Sequence, residues 1–274
     1  MEIIKALEDL EITLLLEAIF QRFGDDFRAF KKESVRQKLY RFMQVHNIAT
    51  ISGLQDLILH DATYINALLY TLDAREVELF DHPHHLVDLR KLLVPWLRSC
   101  PAPKIWINNC TCSEDVYSIA ILLEEENLHC KTQIFATGTN AILLDEARQG
   151  RFTLAMQARY QENYKLAGGT RTLADYYDQI DGVAVFRPDL GRNITWAQYN
   201  LSTDASFNEF ELIICRGGMA DYANRLRRRV LQLFHDSLST FGILSLQGAD
   251  YADLAPLVSH YKAISPKQGI YQRV

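Results

Sequence analysis

Residues 104–126 read KIWINNCTCSEDVYSIAILLEEE, and they carry the main signal for the fold. A short apolar run leads into a polar turn, and apolar residues at helical spacing follow. A strand, a tight turn and a helix in this order are typical of the place where an α/β protein binds a nucleotide-like cofactor. The turn at residues 108–112 nevertheless contains no glycine. Its position predicts a cofactor loop, whereas its composition is unusual for one.

The same alternation of strands and helices continues downstream. KTQIFATG at residues 131–138 predicts a second strand, and NAILLDEARQG at residues 140–150 predicts a helix. FELIICRGG at residues 210–218 predicts a further strand. This alternation indicates a mainly parallel sheet with crossover helices over residues 104–274. A polar and aromatic insertion at about residues 151–192 interrupts it.

The segments before this domain are predicted to be helical. Residues 1–72 show apolar side chains at helical spacing and form a predicted N-terminal helical domain. One of these helices begins near Ser52, which we take as its cap. Residues 73–103 are predicted to be a linker that leads into a helix. The second helix of the N-terminal domain is basic, through Lys31, Lys32, Arg36, Lys38 and Arg41.

Composition narrows the possible partners. The chain has 274 residues, of which 48% are hydrophobic, a net charge of −5 and a pI of about 5.9. This charge gives no general attraction to nucleic acid or to an anionic membrane, so we expect a protein partner or a small ligand. No apolar run approaches the roughly 18 residues of a membrane span. The N-terminus is acidic and lacks the features of a signal peptide, which predicts a cytoplasmic protein.

Metal ligands are sparse in the sequence. Five cysteines form an odd and irregular set, with Cys110 and Cys112 as the one close pair. A structural zinc site needs a second cluster of ligands, so small buried thiols are the simpler interpretation. In HPHHL, residues 82–86, His85 could pair with Asp81 or Asp88 around a metal, but an exposed helix start explains the same residues. We predict no metal cofactor.

Five stretches, in order, resemble the chemotaxis receptor methyltransferases, the CheR family. Residues 104–125 resemble the family segment WSAGCSTGEEPYSLAMLL, and residues 132–153 resemble ILATDIDTEVLEKARAGVYS. Similar matches lie at residues 79–97, 196–234 and 241–250. The resemblance covers roughly residues 15–250. It implies a class-I methyltransferase (Rossmann-like) α/β domain behind a small N-terminal all-helical domain. It also implies S-adenosylmethionine (SAM) as cofactor and glutamate side chains of receptor helices as methyl acceptors.

The resemblance assigns a set of positions to the cofactor site. Glu114 aligns with an acidic residue of the first loop, although an acidic residue is also favoured in any first helical turn. Asn200 begins the match to the family's NLL segment beside the adenine, although a turn asparagine at a strand end is an equal alternative. The implied cofactor-binding positions are Asn108, Cys110, Glu114, Gly138, Thr139, Asn200, Leu201, Cys215 and Arg216.

Two of these positions depart from the family in ways that weaken cofactor binding. Asparagines and cysteines replace the small residues of the first loop, although Asn108 and Asn109 tolerate the left-handed backbone of a tight turn. Gly138 stands where the family has the aspartate that accepts hydrogen bonds from the ribose hydroxyls. Each such charge-assisted bond is worth about 1.5–3 kcal/mol. We therefore expect Gly138→Asp to strengthen any residual binding.

Two further departures concern the chemistry near the methyl group. The family motif NxTxFFR aligns with REVELFD at residues 75–81, so that Asp81 replaces the arginine associated with catalysis and Val77 replaces the threonine. The tyrosine expected near the methyl group becomes Asp221 or is displaced to Tyr222. No catalytic residue is assigned on this basis.

Two functions are compatible with this pattern. The first is a CheR-like regulatory or protein-binding homologue whose SAM pocket is degenerate, with weak or lost binding of SAM or S-adenosylhomocysteine (SAH) and weak or lost methyl transfer. The second is an active, divergent SAM-dependent protein-glutamate methyltransferase that acts on a receptor or signalling protein. In both cases the predicted partner is a protein.

Overall fold

The computed structural model describes residues 2–215, 217–246, 254 and 257–274. The chain divides into two compact units. The first, the helical unit, comprises the residues up to Ala74 together with Ala220–Arg229. The second, the α/β unit, comprises Arg75–Met219 and Val230–Val274.

The helical unit is built on amphipathic helices whose apolar sides share one core. Ile12, Leu15 and Ile19 of the first helix are fully buried, as are Leu39, Leu54 and Leu68 of the others. Burial of such side chains is worth about 1.5–3 kcal/mol each, so this core is the main source of the unit's stability. The helices are α1 (Glu2–Phe23), α2 (Lys32–Val45), α3 (Ile51–His60) and α4 (Ala62–Asp73).

The predicted cap of α3 is wrong by two residues. The side chain of Thr50 accepts a hydrogen bond from the Gly53 backbone N–H at 3.0 Å. Ser52 instead donates to Glu11 of α1 at 2.5 Å. Both residues favour helix starts, and the residue with extended backbone angles takes the role.

The α/β unit alternates strands and helices as the sequence predicts. Its central strands are apolar almost throughout, because parallel strands covered by helices are buried on both faces. The helices are α5 (Pro83–Ser99), α6 (Ser113–Glu125), α7 (Ala141–Arg148), α8 (Gln157–Leu166) and α9 (Asn224–Ser237), whose first turns belong to the helical unit. The strands are β1 (Lys104–Asn108), β2 (Gln133–Gly138), β3 (Arg151–Thr153), β4 (Tyr177–Ile180), β5 (Val183–Phe186), β6 (Ile194–Gln198), β7 (Phe210–Cys215), β8 (Leu238–Leu246), β9 (Tyr261–Ser265) and β10 (Ile270–Arg273).

The main sheet has the order β6-β2-β1-β7-β8-β10-β9. The strands from β6 to β8 are parallel, and β10 pairs antiparallel with both β8 and β9. The chain builds outward from β1 through β2 on one side and from β7 through β8 on the other. The order therefore reverses between β1 and β7, and ligands of open α/β sheets bind at the carboxyl ends of the strands at such a point. The predicted mainly parallel sheet with crossover helices is confirmed, as are the N-terminal helices.

The insertion and the C-terminus contain structure that the sequence did not reveal in full. The insertion carries α8 and an antiparallel sheet in the order β3-β5-β4. The β9–β10 hairpin at the edge of the main sheet was not predicted. Within the described ranges, every helix is too short or too polar to cross a lipid bilayer.

Candidate functional site

The loop after β1 forms the floor of the candidate site. Asn108, the last residue of β1, lies opposite Cys215, the last residue of β7. The Asn108 side chain is buried and donates to the Ile214 carbonyl at 2.8 Å, so it points into the sheet end. Asn109 has a φ of 57°, which confirms that this asparagine takes the left-handed backbone of the tight turn.

This loop folds onto the end of β2. The Cys110 N–H donates to the Thr137 carbonyl at 2.8 Å, while the Cys110 thiol donates to Ile107. A Cβ atom built on Gly138 would lie 2.7 Å from the Cys110 carbonyl oxygen. Real Cβ atoms essentially never approach a heavy atom so closely. An aspartate at position 138 therefore requires the Cys110 carbonyl to shift, and the expectation that Gly138→Asp strengthens residual binding stays a prediction.

Arg75 is the residue of the site that the sequence did not single out. Its Nη2 donates to the Asn109 carbonyl at 2.6 Å and lies 3.1 Å from the Asp115 carboxylate. The side chain of Asp115 is only 1% exposed and that of Arg75 only 14%. Burial is the largest single effect and lowers the pKa of Arg75, but the Asp115 carboxylate together with the nearby Cys112, Cys110 and Cys215 raises this pKa above its usual value. A buried ion pair therefore fastens the linker to the first loop.

Three polar atoms of the loop are buried without a hydrogen-bond partner among the described residues. They are Asn108 Oδ1, Thr111 Oγ1 and Asp115 Oδ1. Buried polar groups normally find a partner, so three orphans within eight residues mark an unusual region. Arg216, the next residue after β7, was predicted to bind the cofactor and lies outside the described residues.

Glu114 lies beside a cavity of about 510 Å³, here called the linker cavity. Its carboxylate accepts hydrogen bonds from Tyr160 of α8 at 3.0 Å and from Ser113 at 3.1 Å. Burial and the Glu114 charge raise the pKa of Tyr160. The cavity is lined by Arg75, Glu76, Val77, Glu78, Asp81, Cys112, Glu114, Met156, Arg159 and Tyr160.

The linker cavity is rich in carboxylates. Glu76, Glu78, Asp81 and Glu114 line it, against the cations Arg75 and Arg159. Both cations are paired, Arg75 with Asp115 and Arg159 with Glu78 at 2.8 Å. The lining therefore carries an excess of negative charge.

The predicted adenine side lies at the ends of β2 and β6. The Tyr199 N–H donates to the Gly138 carbonyl at 2.9 Å, which brings the following residue, Asn200, close to Gly138. Asn200 Oδ1 accepts from the backbone N–H and the hydroxyl of Ser202, which is the geometry of a turn asparagine. The Thr139 carbonyl is bound by Gln198 at 2.7 Å, and Leu201 is buried.

The thiols of the site are not poised for reaction. Burial raises the pKa of Cys215 to about 12, against the opposing effect of Arg75. Burial, with the nearby carboxylates of Asp115 and Glu114, also raises the pKa of Cys112. Since the thiolate is the reactive form, neither group is activated as a nucleophile.

Comparison with known protein families assigns the chain. Residues 75–253 match the model described as CheR methyltransferase, SAM binding domain, and residues 10–72 match the model described as CheR methyltransferase, all-alpha domain. This chain belongs to the CheR methyltransferase family. The resemblance in the sequence is thereby confirmed.

The relatives of the chain cover most of its length. A Pseudomonas putida protein named Cher3 is 37% identical over 265 residues, which is 97% of both chains. The chemotaxis protein methyltransferase Cher2 of the same species is 23% identical and covers 80% of this chain and 76% of its own. The N-methyltransferase NodS of Bradyrhizobium japonicum matches with 11% identity and a TM-score of 0.35, over 71% of this chain and 94% of its own.

Two positions at which this CheR-family chain departs from the family motifs lie in different units. Asp81 lines the linker cavity of the α/β unit. Asp221 lies in the helical unit, where it accepts a hydrogen bond from Ser34 at 2.5 Å. Tyr222 is also in the helical unit, buried against Phe30 with ring centroids 5.2 Å apart. Both side chains that could replace the family tyrosine are thus used in packing the helical unit.

The interpretation of His85 as part of an exposed helix start is wrong. His85 is buried, and its ring nitrogens bond to the Gln268 carbonyl at 2.7 Å and to the Ser245 hydroxyl at 2.9 Å. In the part of the chain that the structure describes, no group of three or more potential ligands is placed to hold a metal ion.

The basic face of α2 is partly neutralised within the helical unit. Arg36 pairs with Glu8 at 2.7 Å, and Lys38 lies 3.8 Å from Asp221. Lys31, Lys32 and Arg41 are exposed. The positively charged surface is accordingly smaller than the five cations in the sequence predict, because two of them lie beside acidic residues.

Proposed function

We propose that this CheR-family protein is a regulatory or protein-binding homologue in which SAM binding and methyl transfer are weak or lost. The observation that carries the proposal is the position of the Cys110 carbonyl at Gly138. The family places a carboxylate there to bind the ribose, whereas this chain places a backbone oxygen 2.7 Å from the position of a Cβ. The described residues therefore do not fit the ribose end of SAM.

The charge of the linker cavity supports the same proposal. The methyl acceptor of the family is a glutamate carboxylate, and an arginine near the methyl group favours its approach. Here Asp81 takes that arginine's place in the motif, with Glu76, Glu78 and Glu114 around the same cavity. Like charges repel, so a glutamate side chain is disfavoured beside these carboxylates.

The proposed partner is a protein. Relatives named chemotaxis protein methyltransferase support a receptor or signalling component as the partner class. The exposed cations of α2 and of the residue before it, Lys31, Lys32 and Arg41, would favour an acidic surface on that partner.

One observation favours the alternative, an active and divergent protein-glutamate methyltransferase. Glu114 keeps the acidic residue of the first loop, and a cavity of about 510 Å³ lies beside it. The match to the family's SAM-binding domain also extends over residues 75–253. Methyl transfer needs mainly the correct orientation of donor and acceptor, so it does not depend on a metal or a covalent nucleophile.

Calorimetric titration of the purified protein with SAH separates the two proposals. The regulatory proposal predicts a Kd weaker than about 100 µM, because two charge-assisted hydrogen bonds to the ribose are lost. A Kd in the micromolar range or tighter would contradict it and would favour the active enzyme. Cher2 of Pseudomonas putida is a suitable control from the same family.

A further inference from the structure

We infer that Arg75 is an internal ligand of the crevice between β1 and β7, in the place that the amino acid end of SAM would take. This inference rests on the proposed function, in which the wild-type site binds SAH weakly or not at all. Arg75 is the residue that fills the site, and it takes the place of the amino acid end of the cofactor.

The position of the Arg75 guanidinium is the first support. Asn109 directly follows β1, and Gly217 lies two residues after β7. The guanidinium donates to the Asn109 carbonyl at 2.6 Å, and a Cβ on Gly217 would lie 2.9 Å from Arg75 Nη1. The group therefore lies against the chain just beyond both strand ends. This is the crevice in which open α/β sheets bind their ligands.

The acceptors around the guanidinium are the second support. A buried carboxylate, Asp115, and a backbone carbonyl, Asn109, hold it. The amino acid end of SAM carries an ammonium group and a carboxylate, and it is the ammonium group that seeks acceptors of the same kind. Arg75 satisfies these acceptors from within the chain, and a cationic ligand would have to displace it.

The burial of Asp115 makes this competition severe. The Asp115 side chain is 1% exposed, and an uncompensated charge at such a site is strongly unfavourable. Asp115 is therefore expected to keep a cation beside it at all times. Gly217 is matched to this arrangement, because it has a φ of 64° and any side chain there would meet the guanidinium.

The alignment with the family motif is consistent with a local replacement. In NxTxFFR, counted back from Asp81, the asparagine falls on Arg75. A short neutral amide is thus replaced by a long cation at the position from which the chain reaches the first loop. The same segment exchanges the motif's arginine for Asp81.

Removal of the guanidinium tests the inference. In Arg75→Met, which keeps an unbranched apolar stem, SAH should bind about tenfold more tightly than to the wild type or better, since one charge-assisted hydrogen bond corresponds to roughly that factor. Methylthioadenosine, which lacks the amino acid end, should show no gain. Arg75→Lys should give a smaller gain with SAH, because one ammonium cannot reproduce the fork of the guanidinium.

Arg90→Met is the matched control. Arg90 also pairs with a buried carboxylate, that of Glu125, and its side chain is 16% exposed compared with 14% for Arg75. Its partners lie on the insertion and at the end of α6, away from the first loop. The control should lose stability as Arg75→Met does, but its affinity for SAH should stay at the wild-type value.

Several results would overturn the inference. One is a folded Arg75→Met protein that binds SAH no better than the wild type, which would leave the proposed function intact. Equal gains for SAH and methylthioadenosine, or an equal gain in Arg90→Met, would indicate general loosening instead. If Arg75→Met does not fold, Arg75→Lys takes its place in the test. An affinity of Arg75→Lys for SAH equal to that of the wild type would then contradict the inference. Micromolar binding by the wild type would contradict both this inference and the proposed function.

Discussion

Gly138 illustrates how one residue controls one end of the candidate site. Its missing side chain removes a carboxylate and lets the Cys110 carbonyl settle against the end of β2. The two changes are coupled, because the carbonyl and a Cβ atom cannot share the same space. An aspartate introduced here must therefore first displace the loop.

Gly138→Asp and Gly138→Ala are both expected to destabilise the protein by about 1–3 kcal/mol, through overpacking against the Cys110 carbonyl. Urea denaturation at neutral pH measures this loss. Gly191→Ala is the control, since a Cβ there meets Tyr117 at 3.4 Å, an ordinary contact distance. Wild-type stability together with tighter SAH binding in Gly138→Asp would disprove this account of the loop.

Individual site residues were predictable to different degrees. The end of a strand at Gly138 and the left-handed backbone of Asn109 could be predicted, because a strand end and a tight turn depend on neighbouring residues. The pair of Arg75 and Asp115 could not, since it joins residues 40 positions apart through a buried contact. A charged residue at the first position of the linker motif was the one signal available, and a motif alone does not indicate where a long side chain points.

At the scale of secondary-structure elements, a lysine from another part of the chain caps the C-terminal end of α5. Lys131 Nζ donates to the carbonyls of Leu97 and Cys100 at 2.8 Å and of Arg98 at 3.1 Å. These are carbonyl groups at the end of a helix, where a cation is favourable. Lys131 thereby joins the C-terminus of α5 to the segment that enters β2.

Lys131→Met should lower the free energy of unfolding by about 1–2 kcal/mol, because it removes charge-assisted hydrogen bonds to helix-end carbonyls. Chemical denaturation measures this loss. The control is Lys91→Met, because Lys91 is an exposed lysine within α5. Equal effects of the two substitutions would show that Lys131 does not act as a cap.

The insertion is anchored by a buried carboxylate. Glu125 accepts from the Tyr164 hydroxyl at 2.6 Å and from the Thr170 N–H at 2.8 Å, and it pairs with Arg90. Burial alone would raise the pKa of Glu125, but these donors lower it below its ordinary value of 4.5. The stabilisation is therefore complete above pH 4.5 and is lost as the pH falls through the lowered folded value.

Glu125→Gln should destabilise the protein by about 2–4 kcal/mol at pH 7, since it removes the buried carboxylate that pairs with Arg90 and leaves Arg90 only the more distant Glu126 carboxylate, at 3.6 Å. The difference from the wild type should shrink as denaturation is repeated below pH 4.5. Glu162→Gln, an exposed change on α8, should have little effect at any pH. A difference that does not change with pH would argue against an ionised Glu125 as the anchor.

The elements themselves were largely predictable, for physical reasons that also explain the exceptions. The central strands and α6 are apolar and buried along most of their length, and α2 has a clear apolar face. The β9–β10 hairpin was missed because its strands have only four or five residues and lie at a sheet edge with mixed burial. The cap of α3 was misplaced because Thr50 and Ser52 have the same preference and only the backbone angles distinguish them.

At the scale of the whole molecule, the fold and the chemistry of the site have to be considered separately. The sheet order supplies the crevice of a class-I methyltransferase, and the chain belongs to the CheR family. In the same crevice lie the Cys110 carbonyl, against Gly138, and the Arg75 guanidinium, beyond the ends of β1 and β7. A fold can persist while its site changes, which is the basis of the proposed regulatory role.

The most direct test of this account is a crystal structure of the wild-type protein grown with millimolar SAH. We predict that the Arg75 guanidinium remains on Asp115 and the Asn109 carbonyl, that the Cys110 carbonyl lies against Gly138, and that no SAH density fills the crevice. SAH density beyond the carboxyl ends of β1 and β7, with Arg75 displaced and the first loop moved away from Gly138, would contradict it.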